Sequence, residues 1–581
     1  MGFRAPVRDI AFALRETAGL NQLLASDAFS GFDSETLTAI LDAAGEFAEG
    51  VLAPLNRSGD LEGARFENGR VFAPAGFADA YRRYSEGGWT SLAAPPEFGG
   101  QGLPRALALA VFEIVHAANM SFGLCPMLSE AAIHLLTAHG SPAQKRRYLP
   151  QFVSGRWTGT MNLTEAQAGS DLALIRTRAE LDGEKFRVTG QKIFITWGDH
   201  DCAENIVHLV LARLPGAPEG TKGISLFLVP KQLVGEDGKA GAANALRPLS
   251  IERKLGIHGS PTCVMSYEGA EAELVGAPHQ GLALMFTMMN AARLNVGMEG
   301  VGIAERAFQQ ARDYALERRQ GRSPWSGEAP ARIADLPDVR RMLMLMKAKT
   351  EAARAICLSA AVASDLAEHA ATPELREAAR LREELLVPVA KAWSTDIGVE
   401  VASLGVQVHG GAGFIEETGA AQFYRDARIA PIYEGTNGIQ AIDLVGRKLA
   451  LAGGAPLRAL LAEMRETAAQ LDDRLVASPL AGGVDAVERA TAWLLDKRGS
   501  VDALAGATTY LKLLGDVTGG WLLAKAALAA AKSGDAAFAQ QKLVLARFYA
   551  GQILTSAPGL AQSVVSGAAD LEAGAELLRS E

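Results

Sequence analysis

Cysteine is scarce in this chain: only Cys125, Cys202, Cys263 and Cys357 occur, too far apart for a CxxC pair or a Cys/His ligand set. That excludes a disulfide-stapled scaffold and leaves thiols in a reducing compartment. The nine histidines are equally scattered and no HExxH appears, so no metal site is expected. Basic residues are not in excess. A formal net charge of -9 gives no electrostatic reason to expect a nucleic-acid partner. The opening MGFRAPVRDIAFAL has charges inside its apolar stretch and no small-residue cleavage site, which argues against a signal peptide. The most apolar late stretch, WLLAKAALAAA, is too short to span a bilayer and carries a lysine. No membrane span is expected, and a cytoplasmic location is the default.

Alanine and leucine are abundant, and long stretches lack Gly and Pro, so most of the 581 residues should be helical. That length suits three or four cooperating units. Residues 34–54 place Leu37, Ile40, Leu41, Ala44, Phe47 and Val51 at helical spacing, with Asp33 or Ser34 as cap. Helical pattern continues to Leu149 around the loop AAPPEFGGQGLP. From Trp157 short β-rich runs take over. IRTRAEL and EKFRVTG flank Asp182-Gly183, a hairpin signal, and KIFIT, NIVHLVLAR, GISLFLV and CVMSYEG follow to about residue 269. After Pro278 helices return: one from Leu282 that can reach Gln320, then 335–369 and 374–404, the last a candidate for a kink at Pro388. The tail 451–581 is again Ala- and Leu-rich, divided by clusters such as ASPLAGG, and needs a partner surface for its apolar faces. The expected division is 1–156, 157–277, 278–450 and 451–581.

Three segments carry candidate chemistry. MNLTEAQAGSD (161–171) offers the Thr164 and Ser170 hydroxyls, turn amides and a glycine for close approach. These suit a polar heterocycle and a diphosphate, or equally a capped turn bonded to itself. In QKIFITWGDHD (191–201), Phe194 and Thr196 alternate on one strand face, as either an aromatic wall beside a hydrogen bond or a face turned to the core. In residues 409–440, Gly410, Gly411 and Gly413 do not complete GxGxxG, which argues against a Rossmann site. Glu434 follows the Pro431 break on a loop or helix start, among Ile432, Tyr433 and Gly435. It is either a solvated glutamate or a partly desolvated carboxylate fit for a general base.

LTEAQAGSD, KIFIT, ARLNVG…ALERRQGR and QVHGGAGF…RDARIAPIYEGT, in this order and spacing over residues 34–450, resemble the acyl-CoA dehydrogenase family. KLGIHGSPTCVM and FTMMNAARLNVG are most similar to its long members with a helical C-terminal extension, the 3-methylmercaptopropionyl-CoA dehydrogenase group. The resemblance implies a mainly α fold with a middle β domain: N-terminal helices, a β-barrel-like domain, a four-helix bundle and the extra helical tail. It implies non-covalent FAD between the β domain and the bundle. Leu163, Thr164, Gly169 and Ser170 fall at flavin and pyrophosphate contacts, and Phe194 and Thr196 on the flavin-flanking strand. Arg318 matches an arginine that reaches the FAD of a neighbouring subunit, with Gln407 and Gly411 at the same adenosine-diphosphate site and Thr436 a further cofactor candidate. Glu434 is the implied base, with Arg293 and Gly435 on the substrate side. As an alternative, Arg293 is a surface ion pair. Two positions depart from the family pattern: Arg319-Gln320-Gly321-Arg322 replaces an aromatic-glycine pair, and Gly438 stands where glutamine is common.

The implied reaction converts an acyl-CoA to its trans-2-enoyl-CoA. The α-proton goes to the base and the β-hydrogen leaves as hydride. Some relatives carry the base on the long helix, but Asn290, Ala291 and Ala292 occupy that stretch, and no second carboxylate is apparent near Glu434. The acyl group is left open between 3-(methylthio)propanoyl and short- to long-chain fatty acyl. An electron-transfer flavoprotein is the expected acceptor, and a homodimer or tetramer the expected assembly. The alternatives are an acyl-CoA oxidase and a DNA-associated flavoprotein on the same fold. Against the latter, residues 451–581 hold 12 Lys and Arg against 14 Asp and Glu.

Overall fold

The computed structural model describes residues 2–24, 26–29 and 31–579. The described residues divide into two compact units, one within 2–5 and 44–295, the other within 6–43 and 296–579.

In the first unit the helix α1 (Arg105–His139) lies against a seven-stranded sheet. Asn119 breaks α1 with extended backbone, and its side-chain oxygen accepts from the Phe122 amide at 3.1 Å, capping the second segment. The sheet strands are β1 (Trp157–Asn162), β2 (Arg178–Asp182), β3 (Lys185–Thr196), β4 (Asn205–Arg213), β5 (Ile224–Pro230), β6 (Leu246–Ile251) and β7 (Thr262–Val275). β7 pairs with β3, β3 with β2, β2 with β4 through Arg178 and Arg213, β4 with β5, and β5 again with β7. Five strands thus close into a ring, which leaves few open edges. One bulge lies in β7 at Gly269, where the strand bends between its two neighbours, and a second lies in β3 opposite Val264. Val188, Val210, Phe227, Val229, Met265 and Tyr267 fill the interior. The hairpin turn falls at Gly183-Glu184 rather than Asp182-Gly183, because Asp182 pairs with Lys185. Gly183, at φ +66°, supplies the left-handed residue.

In the second unit Asp33 caps the helix Ser34–Phe47 by accepting from the Thr36 amide at 2.8 Å. The long helix α2 (Gly281–Glu317) gives this unit its residues from Val296 onward. α3 (Pro337–His369) and α4 (Pro373–His409) pack along one another, and α4 runs unbroken through Pro388, where a kink was expected. α5 (Asn437–Gly446) follows.

The tail forms α6 (Ala455–Gln470), α7 (Arg474–Asp496), α8 (Val501–Ala531) and α9 (Ala536–Gln552), and α8 packs on α3, α4 and α5. ASPLAGG does not divide it: these residues lie inside α7, where a Cβ on Gly483 would sit 3.0 Å from Val517. The glycine serves helix approach rather than a turn. On α8, Gly515 leaves room for Trp393, whose indole Nε1 donates to Asp516 at 2.9 Å. The stretch WLLAKAALAAA is the end of this 31-residue helix, so shortness does not decide its role. Among the described residues α1 and α8 are long and apolar enough to cross a membrane, but 100% and 83% of their apolar windows are buried inside the protein.

A buried ion network ties the tail to the rest of this unit. The Lys542 ammonium donates to Asp9 Oδ1 at 2.9 Å and Glu351 Oε2 at 2.7 Å. Lys347 reaches the same two carboxylates at 2.7 and 3.0 Å. Phe12 meets Phe538 edge-on at 5.0 Å beside it.

Candidate active site

In the first unit, LTEAQAGSD and KIFIT meet. The Ile193 amide donates to the Thr164 carbonyl at 2.9 Å, and the Lys192 ammonium donates to the Leu163 carbonyl at 2.9 Å and Glu165 Oε1 at 2.8 Å. Glu165 also accepts from the Arg176 and Thr177 amides at 2.7 and 3.0 Å. Burial opposes the Glu165 charge, but Lys192 and these donors hold its carboxyl at about 2. Burial pushes Lys192 down to about 8 against the pull of Glu165. The pair is therefore charged at neutral pH and pins the loop from both ends.

That loop presents Gly169 and Ser170 exposed, with Leu163 and Thr164 half-buried. Phe194 and Thr196 do not simply alternate on one face as expected. Ile193 and Phe194 lie opposite the single residue Val264, a bulge that sets Phe194 at φ +60° and leaves it 59% exposed. An exposed ring on strained backbone is a candidate for function, because packing does not account for it. Arg293 is buried, donates to Asn290 Oδ1 at 3.1 Å and lies 5.7 Å from the Phe286 ring centre. The surface ion-pair reading is overturned.

In the second unit the base candidate sits on a tight loop. Glu434 has φ +56° and Gly435 φ +84°. The Asn437 amide closes the loop onto the Pro431 carbonyl at 3.0 Å. The Asn437 side chain donates to the Ala392 carbonyl, Thr395 Oγ1 and Asp396 Oδ1, and accepts from Lys391 at 2.9 Å. Thr436 caps α5 by accepting from the Ile439 amide at 3.2 Å.

The Tyr433 phenol donates to Glu299 Oε2 on α2. Glu299 is fully buried, and burial, reinforced by the negative charge of Glu434, pushes its carboxyl up to about 8. The expectation of no second carboxylate near Glu434 was therefore wrong. Glu299 was missed because its partner lies 134 residues away in sequence; the visible signal was a glutamate in the otherwise small and apolar run NVGMEGVGI.

Arg318, Gln407 and Gly411 are all exposed, at neighbouring helix ends. Tyr314, one turn before Arg318, stacks on His409, two residues after Gln407, at 4.5 Å. In place of the family's aromatic-glycine pair, Gln320 bonds Ala331 through its amide at 2.7 Å and Arg319 pairs with Glu328.

The first unit thus holds an open loop backed by an aromatic ring, and the second a carboxylate loop anchored on both sides. Family models describe successive parts of the chain: acyl-CoA dehydrogenase N-terminal domain over residues 34–156, middle domain over 160–270 and C-terminal domain over 279–449, then an acetyl-CoA dehydrogenase C-terminal-like domain over 460–573. The 3-methylmercaptopropionyl-CoA dehydrogenase of Ruegeria pomeroyi is 48% identical, covering 95% of this chain and 96% of that protein. A butyryl-CoA dehydrogenase of Syntrophomonas wolfei is 34% identical, with 95% of each covered. The solved acyl-CoA dehydrogenase of Bacillus anthracis complexed with FAD shares the fold at TM-score 0.75 and 21% identity, covering 98% of this chain and 94% of that one. The chain belongs to the acyl-CoA dehydrogenase family.

Proposed function

We propose that this enzyme uses FAD to dehydrogenate an acyl-CoA thioester between its α and β carbons, with Glu434 as the base. The observation that carries this reading is Glu434 held in left-handed backbone on a loop anchored at both ends, within a chain that matches acyl-CoA dehydrogenases over nearly its full length.

The residues present fit the cofactor. The exposed Phe194 ring gives an apolar face for a flat heterocycle. Thr164 and Thr196 supply hydroxyls, and Gly169, where an added Cβ would meet nothing within 4 Å, lets a diphosphate approach the backbone beside Ser170. FAD, when bound, supplies the hydride acceptor. Arg318, Gln407 and Gly411 are available to the adenosine-diphosphate end of an FAD, in the family pattern one held by a neighbouring subunit; a homodimer or tetramer follows from that assignment. Glu434 takes the α-proton. In this reading the Gly435 amide, adjacent to the base, stabilises charge developing on the thioester oxygen. Arg293 supports the substrate side.

Both 3-(methylthio)propanoyl-CoA and straight short- to long-chain acyl-CoAs remain substrates to compare, and an electron-transfer flavoprotein is the proposed acceptor. Acid denaturation of the purified yellow protein should release all its flavin to the supernatant. The intact enzyme should then reduce an artificial electron acceptor with one group of acyl-CoAs. Flavin that stays with the pellet, or no turnover across a panel from propanoyl to palmitoyl with 3-(methylthio)propanoyl included, would overturn the reading.

A further inference from the structure

Three buried or cavity features lie outside the roles assigned so far: the Asp9–Lys347–Lys542 network, a cavity lined by Arg105, Glu130 and His134, and the Glu299 carboxyl. The network is accounted for by tail docking. The cavity shows no group that selects one ligand. Glu299 is different, because it is joined through one hydrogen bond to the residue preceding the base.

We propose that Glu299 and Tyr433 form a positioning pair for Glu434: the carboxyl on α2 receives the Tyr433 phenol and fixes the backbone from which the base projects. The inference rests on Glu434 being the base. Left-handed backbone is costly for a glutamate and persists only where its surroundings impose it. Tyr433 imposes it on one side and Asn437 on the other, so the loop is clamped within one residue before and three after the base. Glu299 Oε2 takes the phenol, while Oε1 is buried with no hydrogen-bond partner in the structure. A carboxylate so poorly solvated is unfavourable.

The charged and titratable groups facing Glu299 are Tyr433, Glu434 and Lys391. Burial and Glu434 favour the protonated form, while the phenol and Lys391 oppose it. At neutral pH the pair of carboxyls therefore divides its roles. Glu299 keeps its proton and adds no negative charge beside the base, and Glu434 is left to accept the α-proton.

The test uses the holoenzyme and (methylthio)acetyl-CoA, which carries sulfur in place of the β-carbon. It can lose an α-proton to the base but has no hydride to give. The enolate formed is followed by its long-wavelength absorption beside oxidised flavin, as rate and as extent against pH. Tyr433→Phe and Glu299→Leu should each slow enolate formation about 10- to 100-fold, the range for a reacting group displaced by about 1 Å, with analogue binding unchanged. Their combination should be no slower than either alone. Glu299→Gln retains an acceptor for the phenol and should restore the rate to within about threefold of wild type at pH 7. It should also erase a wild-type inflection near pH 8. Tyr433→Phe at the wild-type rate, Glu299→Gln as slow as Glu299→Leu, or an inflection that survives in Glu299→Gln would overturn the proposal. Glu434→Gln is the separate control: enolate formation in that variant would remove the base assignment itself.

Discussion

Replacing Lys542 with methionine keeps the length of the side chain and removes one of the two lysines shared by Asp9 and Glu351. The Lys542 side chain is only 6% exposed, and its ammonium lies 2.9 and 2.7 Å from the two carboxylates. At an effective dielectric of about 20, each contact is worth roughly 6 kcal/mol of direct attraction. Much of that offsets desolvation, and removing one partner of a buried pair typically costs about 3–5 kcal/mol. Lys347 still reaches both carboxylates, which places the expected loss near the lower end, about 3 kcal/mol. Because Lys542 is on α9, the damage should appear as undocking of the tail. Urea unfolding should show the loss in stability, and limited proteolysis should cut faster around residues 447–454.

Asp9 adds a pH dependence. Burial works against its charge, but Lys347, Lys542 and Arg354 hold its carboxyl well below the ordinary carboxylate range. A depressed acid contributes stability that is full above its unfolded value of about 3.9 and is lost as pH falls below it. Wild type should therefore lose part of its stability below about pH 4, and Lys542→Met should lose less there. A variant within 0.5 kcal/mol of wild type, of the order expected for a surface change, with an unaltered acid limb, would refute the role given to this network.

Lys192→Met leaves Glu165 buried without its cation and frees the loop 163–170. FAD affinity, measured by fluorescence on reconstituting apoprotein, should fall about tenfold or more, the equivalent of about 1.4 kcal/mol; unchanged affinity would mean the loop needs no such pin. Truncation after Leu449 strips α3, α4 and α5 of α8 and exposes Trp393. The truncated protein should aggregate or unfold in light scattering, and a stable, active product of unchanged size would show that the tail is dispensable.

What could be read from the sequence was local. Asp33 as a cap, the β runs after Trp157 and the long helix from Leu282 all follow from periodicity and turn chemistry over short spans. The errors came from tertiary packing. ASPLAGG reads as a break, but Gly483 is small because Val517 approaches it. Phe194 and Thr196 read as one strand face until the bulge opposite Val264 shifts the alternation, and single sequences carry no register for the opposing strand. Arg293 reads equally as surface or site, and only its burial against Phe286 separates the two. At the base, Glu434 and its YEGT context were visible as a motif. The Tyr433–Glu299 bond and the side-chain bonds of Asn437 to Lys391, Ala392, Thr395 and Asp396 were not, because each joins segments far apart in the chain.

The most direct test of the chemistry is anaerobic mixing of Glu434→Gln with a good acyl-CoA substrate while the flavin absorbance is followed. Glutamine keeps the shape of the side chain and its hydrogen bonding but cannot take the α-proton. Folding, flavin content and acyl-CoA binding should match wild type, and bleaching should slow by at least the roughly 10²–10⁴-fold typical of a lost general base. Bleaching of Glu434→Gln at near the wild-type rate would place the base on another residue.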